Sequence, residues 1–230
     1  MKPYLNYQGI AVLAHRGGSI ESLENTIESF HYSKSIGCEF IETDVQVSSD
    51  GIPYIFHDET LSRLLNRNDV FSSLHSSEID NLKIFKEHSI PKLETVLTMF
   101  PDMKFQIDVK TDEVAMPALA VIQENNAMDR VCIASFNSKR LSLVNNNYPD
   151  ICISMGPYEV AKMLLSSFGL YKKTILGNCL QIPIYVEGRR RGRCPPGCPC
   201  SAPVDPGQTP PSPSADSRCG SASGSAAPPH

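Results

Sequence analysis

The sequence predicts an α/β protein with parallel strands, and two observations support this. Short runs rich in β-branched and aromatic residues alternate along the chain with segments of helical apolar spacing. Such alternation is typical of parallel pairing, because a helix carries the chain back before the next strand begins. Polar residues also recur where the predicted strands end, which is where an α/β barrel builds its active site.

The predicted elements occupy residues 10–186. Segments with the composition of β-strands are residues 10–14, 40–47, 52–56, 104–110, 131–136, 151–155 and 180–186. Helices are predicted after Asn25, from Pro91 onward, and near residues 114–125, 138–146 and 158–167. Asn25 is expected to cap the first helix. Residues 59–90 show no sustained hydrophobic periodicity, so they are interpreted as an insertion, which we call the excursion.

The strand at residues 40–47 carries two carboxylates on one face. Side chains two apart on a strand point the same way, so Glu42 and Asp44 lie side by side. Adjacent carboxylates repel each other unless a cation lies between them, and hard divalent ions prefer oxygen ligands. The pair therefore indicates a metal site, although the same pattern also fits the solvated face of an amphipathic strand.

Polar residues at the ends of neighbouring strands favour the metal-site interpretation. His15 and Arg16 follow the first apolar run, His57 follows the strand at residues 52–56, and Asp108 and Lys110 close the strand at residues 104–110. The carboxyl ends of parallel strands meet at one edge of a sheet, so these side chains are expected to gather there.

Composition and charge narrow the class of protein. The chain has 230 residues, of which 41% are hydrophobic, and a net charge of −4, so it can build a substantial core. Positive charges form no stripe in the N-terminal region, which argues against nucleic acid and favours a small anion. No apolar stretch has the length of a membrane helix, and no secretory signal pattern is present. We therefore expect a cytoplasmic protein without a transmembrane segment, of unknown oligomeric state.

The character of the chain changes at Arg189. Residues 189–230 contain ten prolines, seven serines and five glycines, but no Leu, Ile, Phe, Tyr or Lys. Such a composition cannot build a core, so this segment is predicted to be a disordered tail.

The eight cysteines divide evenly between the body of the chain and the tail. The tail spacing C-x3-C-x-C has no second pair close by, which disfavours a metal site there. The other four are scattered without a recognised metal or redox spacing and are predicted to be buried reduced thiols. These are Cys38, Cys132, Cys152 and Cys179.

Five short motifs resemble those of the glycerophosphodiester phosphodiesterase family, H-R-G, E-N-T, E-x-D, H-D and E-x-K. The corresponding segments follow in the same order: His15-Arg16-Gly17, Glu24-Asn25-Thr26, Glu42-x-Asp44, His57-Asp58 and Asp108-x-Lys110. The resemblance extends from about residue 10 to residue 187. It implies a TIM (β/α)8-type barrel with a small insertion after its second strand, at about residues 50–90.

The resemblance also implies roles for the motif residues. The three carboxylates would bind a divalent cation, Mg²⁺ or Ca²⁺; the two histidines would be the acid/base pair; and the two basic residues would bind the substrate phosphate. In that order, these residues are Glu42, Asp44 and Asp108; His15 and His57; Arg16 and Lys110. The implied reaction is hydrolysis of a small glycerophosphodiester to an alcohol and glycerol 3-phosphate, in lipid and glycerol metabolism.

The chain departs from the family pattern in three respects. Leu23 replaces the usual proline before E-N-T, and Asp108 stands where the family commonly has glutamate. The family's last two strands, with their W-T-x-N and T-D segments, have no counterpart. We therefore expect an incomplete barrel domain at residues 1–188, lacking its last two strands, followed by the tail at residues 189–230.

Two alternatives compete with the enzymatic interpretation. A chain that keeps the ligand residues without closing its barrel would be inactive, or would bind metal or phosphate weakly. Phospholipase D of the toxin type shares the paired histidines and carboxylates, but no disulfide-linked loop follows His57, which disfavours it.

Overall fold

The computed structural model of the protein describes residues 1–9, 11–180, 185–186 and 189–190. The chain divides into two compact units, Met1–Ile182 and Pro183–His230. In the described part of the first unit, the α-helices are α1 (Ile27–Ser35), α2 (Ser62–Leu65), α3 (Ser76–Ile79), α4 (Leu93–Met99), α5 (Asp112–Glu124), α6 (Ser138–Asn147) and α7 (Pro157–Ser167). Among the residues that the structure describes, no helix has the length and hydropathy of a membrane span.

A parallel sheet forms the centre of the first unit. The strands of this unit are β1 (Leu13–His15), β2 (Phe40–Val47), β3 (Pro53–Ile55), β4 (Lys83–Ile84), β5 (His88–Ser89), β6 (Lys104–Val109), β7 (Val131–Ala134) and β8 (Cys152–Ile153). The order β1-β2-β6-β7-β8 is parallel throughout, and β3 pairs with the end of β2 as an antiparallel hairpin. The predicted α/β fold with parallel strands is confirmed.

The two faces of the sheet differ in what covers them. Ile41, Ile107 and Ile133 lie on one face and belong to the main hydrophobic core, which also contains side chains of α4, α5 and α6. The opposite face carries the predicted metal ligands. All eight residues of β2 are buried, so Glu42 and Asp44 do not belong to a solvated strand face.

The face that carries the carboxylates becomes apolar toward the amino ends of the strands. Tyr4, in a short 3-10 helix, packs there against Phe40 and Cys132. The ammonium of Lys104 donates a hydrogen bond of 2.9 Å to the carbonyl of Tyr4 and lies 5.2 Å from the centre of the Phe40 ring. The N-terminal segment is therefore anchored over this end of the sheet.

Three cysteines that are far apart in the sequence meet on this same face. The sulfur atoms of Cys132, Cys152 and Cys179, which we call the thiol cluster, all lie within 4.8 Å of one another. The sequence could not show this, because the register that pairs Cys132 with Cys152 is a property of the sheet. Cys132 and Cys152 are buried as predicted, whereas Cys179 and the separate Cys38 are only half-buried.

Helix α1 begins one residue later than its predicted cap implies. The cap is Thr26, whose hydroxyl accepts a hydrogen bond from the backbone N–H of Ser29, while the Ser29 hydroxyl accepts one from the N–H of Thr26. Asn25 has a φ of 56° and turns its side chain toward β2 instead. Its amide is therefore available to the site and not to the helix.

The excursion after β2 has a hydrophobic core of its own. Its short elements include α2, α3 and the β4–β5 hairpin, and their apolar side chains form a cluster separate from the main core. The buried members are Tyr54, Phe56, Leu61, Phe71, Leu74, Ile79, Ile84 and Ile90. The predicted insertion is thus a compact layer, although its sequence shows no regular period.

The last predicted strand, at residues 180–186, differs from expectation. Cys179 forms a single parallel bridge to Ser154 just before that segment, and residues 181–184 lie outside the described part. In the second unit, β9 (Tyr185–Val186) and β10 (Arg189–Arg190) pair in antiparallel fashion, so the parallel assignment is wrong at its end. The predicted disorder of the tail from residue 191 onward lies outside the described residues.

Candidate active site

The carboxyl ends of three adjacent strands bring the predicted site residues together. The register pairs His15 with Glu42 across β1 and β2, and Asp44 with Asp108 across β2 and β6. Glu42, Asp44 and Asp108, which we call the carboxylate cluster, are 7%, 2% and 7% exposed. Three buried carboxylates require nearby cations or donors, because desolvation penalises their charge.

Glu42 is the least compensated member of the carboxylate cluster. One of its oxygens accepts a hydrogen bond of 3.1 Å from the backbone N–H of Arg16 and lies 3.8 Å from Nε2 of His15. Burial and the charges of Asp44 and Asp108 nevertheless raise the pKa of Glu42 to about 7. At neutral pH, a positive charge placed near this carboxyl would therefore stabilise its ionised form.

Lys110 bridges the other two carboxylates. Its ammonium lies 2.7 Å from an oxygen of Asp44 and 2.7 Å from one of Asp108. Burial lowers the pKa of Lys110, but the two carboxylates more than offset this and raise it overall. Burial also raises the pKa of Asp108, against the opposing effect of Lys110. Lys110 therefore keeps its charge where the structure holds two buried anions together.

The turn after β1 places Arg16 against the carboxylate cluster. Arg16 and Gly17 have φ angles of 51° and 75°. A Cβ on Gly17 would lie 2.5 Å from the Phe30 ring, so only glycine fits this close approach to α1. The guanidinium of Arg16 donates a 3.0 Å hydrogen bond to Glu24, and its Nε lies 3.5 Å from Asp44. That buried Nε has no hydrogen-bond partner, so a donor is left over for an anion.

Asn25 is a site residue whose function the helix-cap prediction missed. Its amide N–H donates a 3.1 Å hydrogen bond to Asp44, and its carbonyl accepts one of 2.8 Å from Thr43. These bonds hold the Asp44 carboxylate in one orientation beside Arg16. The signal was the E-N-T motif itself, since an asparagine tolerates the left-handed backbone that this turn requires.

His57 is held by a chain of ion pairs that crosses from the excursion to the β1 turn. Its Nδ1 lies 2.7 Å from Asp58, and Asp58 accepts a 2.7 Å hydrogen bond from Nε of Arg63. Arg63 also donates to Glu24, which in turn accepts from Arg16. Arg63 was not predicted, because no motif marks it and only the folded excursion brings it to Glu24.

His15 lies at the open side of the site. Its side chain is 65% exposed, and its Nδ1 is 3.5 Å from the hydroxyl of Ser19. Partial burial and the adjacent charges of Arg16 and His57 lower the pKa of His15, while Asp44 and Glu24 oppose this. The imidazole of His15 is therefore mainly neutral at pH 7, as a proton acceptor must be.

The chemistry of the donors fits a divalent cation, although the protein's own cations now neutralise part of their charge. The carboxylate cluster contributes three negative charges, against which Arg16 and Lys110 provide two positive ones. Among the described residues, the thiol cluster is the one set of three His, Cys, Asp or Glu side chains whose ligand atoms all lie within 4.8 Å of each other. The carboxylate oxygens are more widely spaced, and Lys110 lies between two of them.

The comparisons with known proteins agree on one family. The sequence profile of the glycerophosphoryl diester phosphodiesterase family matches residues 15–163. A probable glycerophosphodiester phosphodiesterase 2 of Mycobacterium tuberculosis is 33% identical over 138 residues, which are 60% of this chain and 52% of that protein. The glycerophosphodiester phosphodiesterase of Caldanaerobacter subterraneus is 33% identical over 158 residues, covering 63% of this chain and 65% of that one.

A solved structure provides the matching fold. An Oleispira antarctica phosphodiesterase, determined in complex with the product sn-glycerol-3-phosphate, superposes with a TM-score of 0.59 at 27% identity. The match covers 63% of this chain and 65% of that one. The chain thus spans between about half and two thirds of the length of these relatives. The residues that the family profile matches, 15–163, contain every predicted site residue.

Proposed function

The chain belongs to the glycerophosphoryl diester phosphodiesterase family, and we propose that it hydrolyses glycerophosphodiesters to an alcohol and glycerol 3-phosphate. The family is enzymatic and has the TIM-barrel fold, so the sheet from β1 to β8 is an arc of such a barrel, unclosed within the described residues. One observation supports the activity above others: the side chains of five separate motifs converge at the carboxyl ends of β1, β2, β3 and β6.

The carboxylate cluster is proposed to bind the divalent cation. Members of the family are generally divalent-cation dependent, and Mg²⁺ is our first choice, with Ca²⁺ as the alternative, because all three ligands are hard oxygens. The ion would neutralise charge on the phosphoryl oxygens. The support from this chain is the raised pKa of Glu42, which a nearby dication would bring back down.

Arg16 and Lys110 are proposed to bind the substrate phosphate. Arg16 has a buried Nε without a hydrogen-bond partner, which suits a phosphoryl oxygen. Lys110 is paired with Asp44 and Asp108, and a cation bound to these carboxylates would release its ammonium toward the phosphate. A flexible lysine serves this exchange, because its charge sits on a rotatable stem.

His15 and His57 are proposed to exchange protons with the substrate. We assign proton acceptance to His15, because its lowered pKa keeps it neutral at pH 7. Proton donation to the leaving alcohol then belongs to His57, whose ring Asp58 and Arg63 hold in place. Whether water or the glycerol hydroxyl of the substrate attacks, both routes need these two transfers.

The remaining parts of the proposal concern the setting of the enzyme. We propose a cytoplasmic protein acting in lipid and glycerol metabolism, with a domain at residues 1–188 and a tail at residues 189–230 that is disordered after β10. Free thiols at Cys38, Cys132, Cys152 and Cys179 support a reducing compartment.

The second candidate function is binding of metal or phosphate without turnover. It is favoured by the open sheet, in which β1 and β8 have no closing partner strand within the described residues and β8 is extended by one bridge to Cys179. An open sheet of this kind retains the metal-binding carboxylates, but it lacks the loops that the other strands of a closed barrel contribute to the active site.

The test is release of glycerol 3-phosphate from glycerophosphocholine by the full chain with added Mg²⁺. We expect activity that EDTA abolishes and that Asp108→Asn lowers by at least about 100-fold, since each ligand supports the metal. The matched control is Asp102→Asn, at a surface carboxylate that is 84% exposed. Magnesium binding by calorimetry without any product release would instead support the second candidate.

A further inference from the structure

The thiol cluster is a second set of convergent ligands, away from the charged end of the site. Cys132 and Cys152 are paired neighbours on β7 and β8, and Cys179 follows on the segment bridged to Ser154. The sulfurs of Cys132 and Cys179 are 3.6 Å apart, and all three lie within 4.8 Å of one another. Two strands of the arc and the segment bridged to β8 thus each contribute one sulfur to the thiol cluster.

The spacing of these sulfurs is that of ligands around one metal ion. Zinc binds a thiolate at about 2.3 Å, so two thiolates on a tetrahedral zinc are roughly 3.8 Å apart. The Cys132–Cys179 separation of 3.6 Å is close to this value, and with all three sulfurs within 4.8 Å of one another, small side-chain rotations would bring them to a common centre. Soft thiolates select Zn²⁺ and Cu⁺ over the hard ions that carboxylates prefer.

A buried hydroxyl beside the cluster lacks a partner. Tyr4 is 3% exposed and packs with Cys132 and Cys152 in one cluster. Its hydroxyl forms no hydrogen bond within the described residues, although a buried donor without a partner is destabilising. Burial raises the pKa of Tyr4, and the neighbouring thiols raise it further. A thiolate, or a water on a bound ion, would accept a hydrogen bond from this hydroxyl.

We propose that Cys132, Cys152 and Cys179 bind a thiophilic metal ion, Zn²⁺ in the first instance, with Tyr4 as hydrogen-bond donor to the site. Binding of Zn²⁺ releases the three thiol protons to solvent and leaves a net charge of −1 on the ion and its ligands. The Tyr4 hydroxyl stabilises that charge in otherwise apolar surroundings. The ion adds to the two backbone hydrogen bonds and the bond from Ile153 N–H to the Asn178 side chain that hold the Cys179 segment against β8, and it ties the segment to β7 as well.

Cobalt absorption is the direct test, because thiolate-to-cobalt charge transfer appears only when sulfur binds the ion. The parent for the experiment is the full chain with Cys194, Cys198, Cys200 and Cys219 replaced by serine, so that the tail cannot contribute. Under anaerobic conditions we expect one Co²⁺ per chain with a near-ultraviolet charge-transfer band, displaced stoichiometrically by Zn²⁺. Carboxylate-bound Co²⁺ gives no such band.

Single serine variants locate the ligands. Each of three variants, Cys132→Ser, Cys152→Ser and Cys179→Ser, should remove about a third of the charge-transfer band. Each should also lower the affinity for the ion at least about 10-fold, which is the lower end of the effects seen for residues around metal sites. Cys38→Ser is the matched control and should leave both unchanged, since this half-buried thiol lies outside the cluster. Far-ultraviolet circular dichroism identifies any variant that fails to fold.

A second measurement does not depend on the core variants folding. Zn²⁺ should raise the melting temperature of the parent and of Cys38→Ser, because an ion that binds the native state stabilises it. Cys179→Ser, at the half-buried position, should lose this shift. The proposal is overturned if the parent shows no sulfur charge-transfer band, if the band survives Cys179→Ser unchanged, or if two of the three cysteines form a disulfide in the anaerobic protein.

Discussion

The carboxylate cluster and the thiol cluster lie on the same face of one sheet, yet they differ in what surrounds them. Arg16, Lys110 and Asn25 reach the carboxylates from the loops that follow β1 and β6. The thiols lie among Tyr4, Phe40 and other apolar side chains. One region is therefore held together by charge and the other by packing.

The register aligns Glu42 through Gln106 with Cys132 and Cys152, so the surrounding side chains, and not the position along a strand, distinguish the two ligand sets. Loops at the carboxyl edge supply cations and donors, so charged oxygens can be buried there without excessive cost. Around the thiols, Tyr4, Phe40 and other apolar side chains form the surroundings, which suit weakly polar sulfur.

The largest effect expected at the charged region is on turnover. His15→Ala and His57→Ala should each lower kcat by about 10²–10⁴-fold with little change in KM, because general acid/base catalysis acts in the transition state. Steady-state kinetics of glycerol 3-phosphate release measures this. The matched control His31→Ala removes an exposed imidazole that only contacts Phe100 and should keep full activity. A higher KM with unchanged kcat would mean that the two histidines only bind substrate.

The stability of the two regions should also differ in its pH dependence, because the charged region contains Glu42, whose pKa is raised to about 7. Glu42 keeps its proton to about pH 7 when folded but has a pKa near 4.5 when unfolded. Its stabilising contribution is therefore complete below pH 4.5 and lost as pH rises through 7. In EDTA, unfolding free energies of the wild type and Glu42→Gln should diverge over this range by up to about 3 kcal/mol.

Urea denaturation at several pH values measures this divergence. The wild type should lose stability relative to Glu42→Gln as pH rises, whereas the exposed control Glu94→Gln should follow the wild type throughout. Parallel curves for Glu42→Gln and the wild type would show that the pKa of Glu42 does not change on folding.

Removing Lys110 should reveal how far charge holds the carboxylate cluster together. Lys110→Met leaves Asp44 and Asp108 without their shared cation, and we expect a loss of about 2–3 kcal/mol. This is below the ~3–5 kcal/mol of a fully buried pair, because Lys110 is 20% exposed. Thermal or urea unfolding measures it, and added Mg²⁺ should restore part of the loss.

Lys92→Met is the matched control for that experiment. Its ion pair with Asp80 lies at the surface, where such pairs contribute about 0–1 kcal/mol. Equal losses for the two variants would mean that the carboxylates are hydrated, and that the contrast with the thiol cluster is smaller than their burial implies.

The smallest expected effect concerns the orientation of one carboxylate. Asn25→Gly keeps the left-handed backbone but removes the hydrogen bonds to Asp44 and Thr43, so we expect a loss of about 1–2 kcal/mol. Asn25→Ala should lose more, because alanine also strains this backbone. Similar stability of the glycine variant and the wild type, from urea unfolding, would show that Arg16 alone holds Asp44.

The sequence predicted the strands and the charged site well, because both depend on local patterns. The alternation in residues 40–47 places Glu42 and Asp44 on one face from the two-residue period alone, and the motif order brings in His15, His57 and Asp108. Their assigned roles stay predictions, but the structure does gather them at one edge. The Glu42 pKa could not be foreseen, because it depends on burial.

The misses have a common physical cause, which is pairing between distant segments. The thiol cluster requires a register that aligns Cys132 with Cys152, and Arg63 reaches Glu24 only after the excursion has folded on its own core. Asn25 was assigned to a helix cap because its residue type suits that position. The left-handed turn that redirects it was not visible from composition.

The anchoring of the N-terminal segment by Lys104 bears on the order in which the chain reaches its native state. Tyr4 and Lys104 are separated by 100 residues, and at a synthesis rate of roughly 5–20 residues per second, Tyr4 waits about 5–20 seconds for its partner. Contacts of such long range form late in folding. Tyr4 therefore reaches its native place only after Lys104 has been synthesised, and until then the apolar side chains that Tyr4 covers, Phe40 among them, lack that cover.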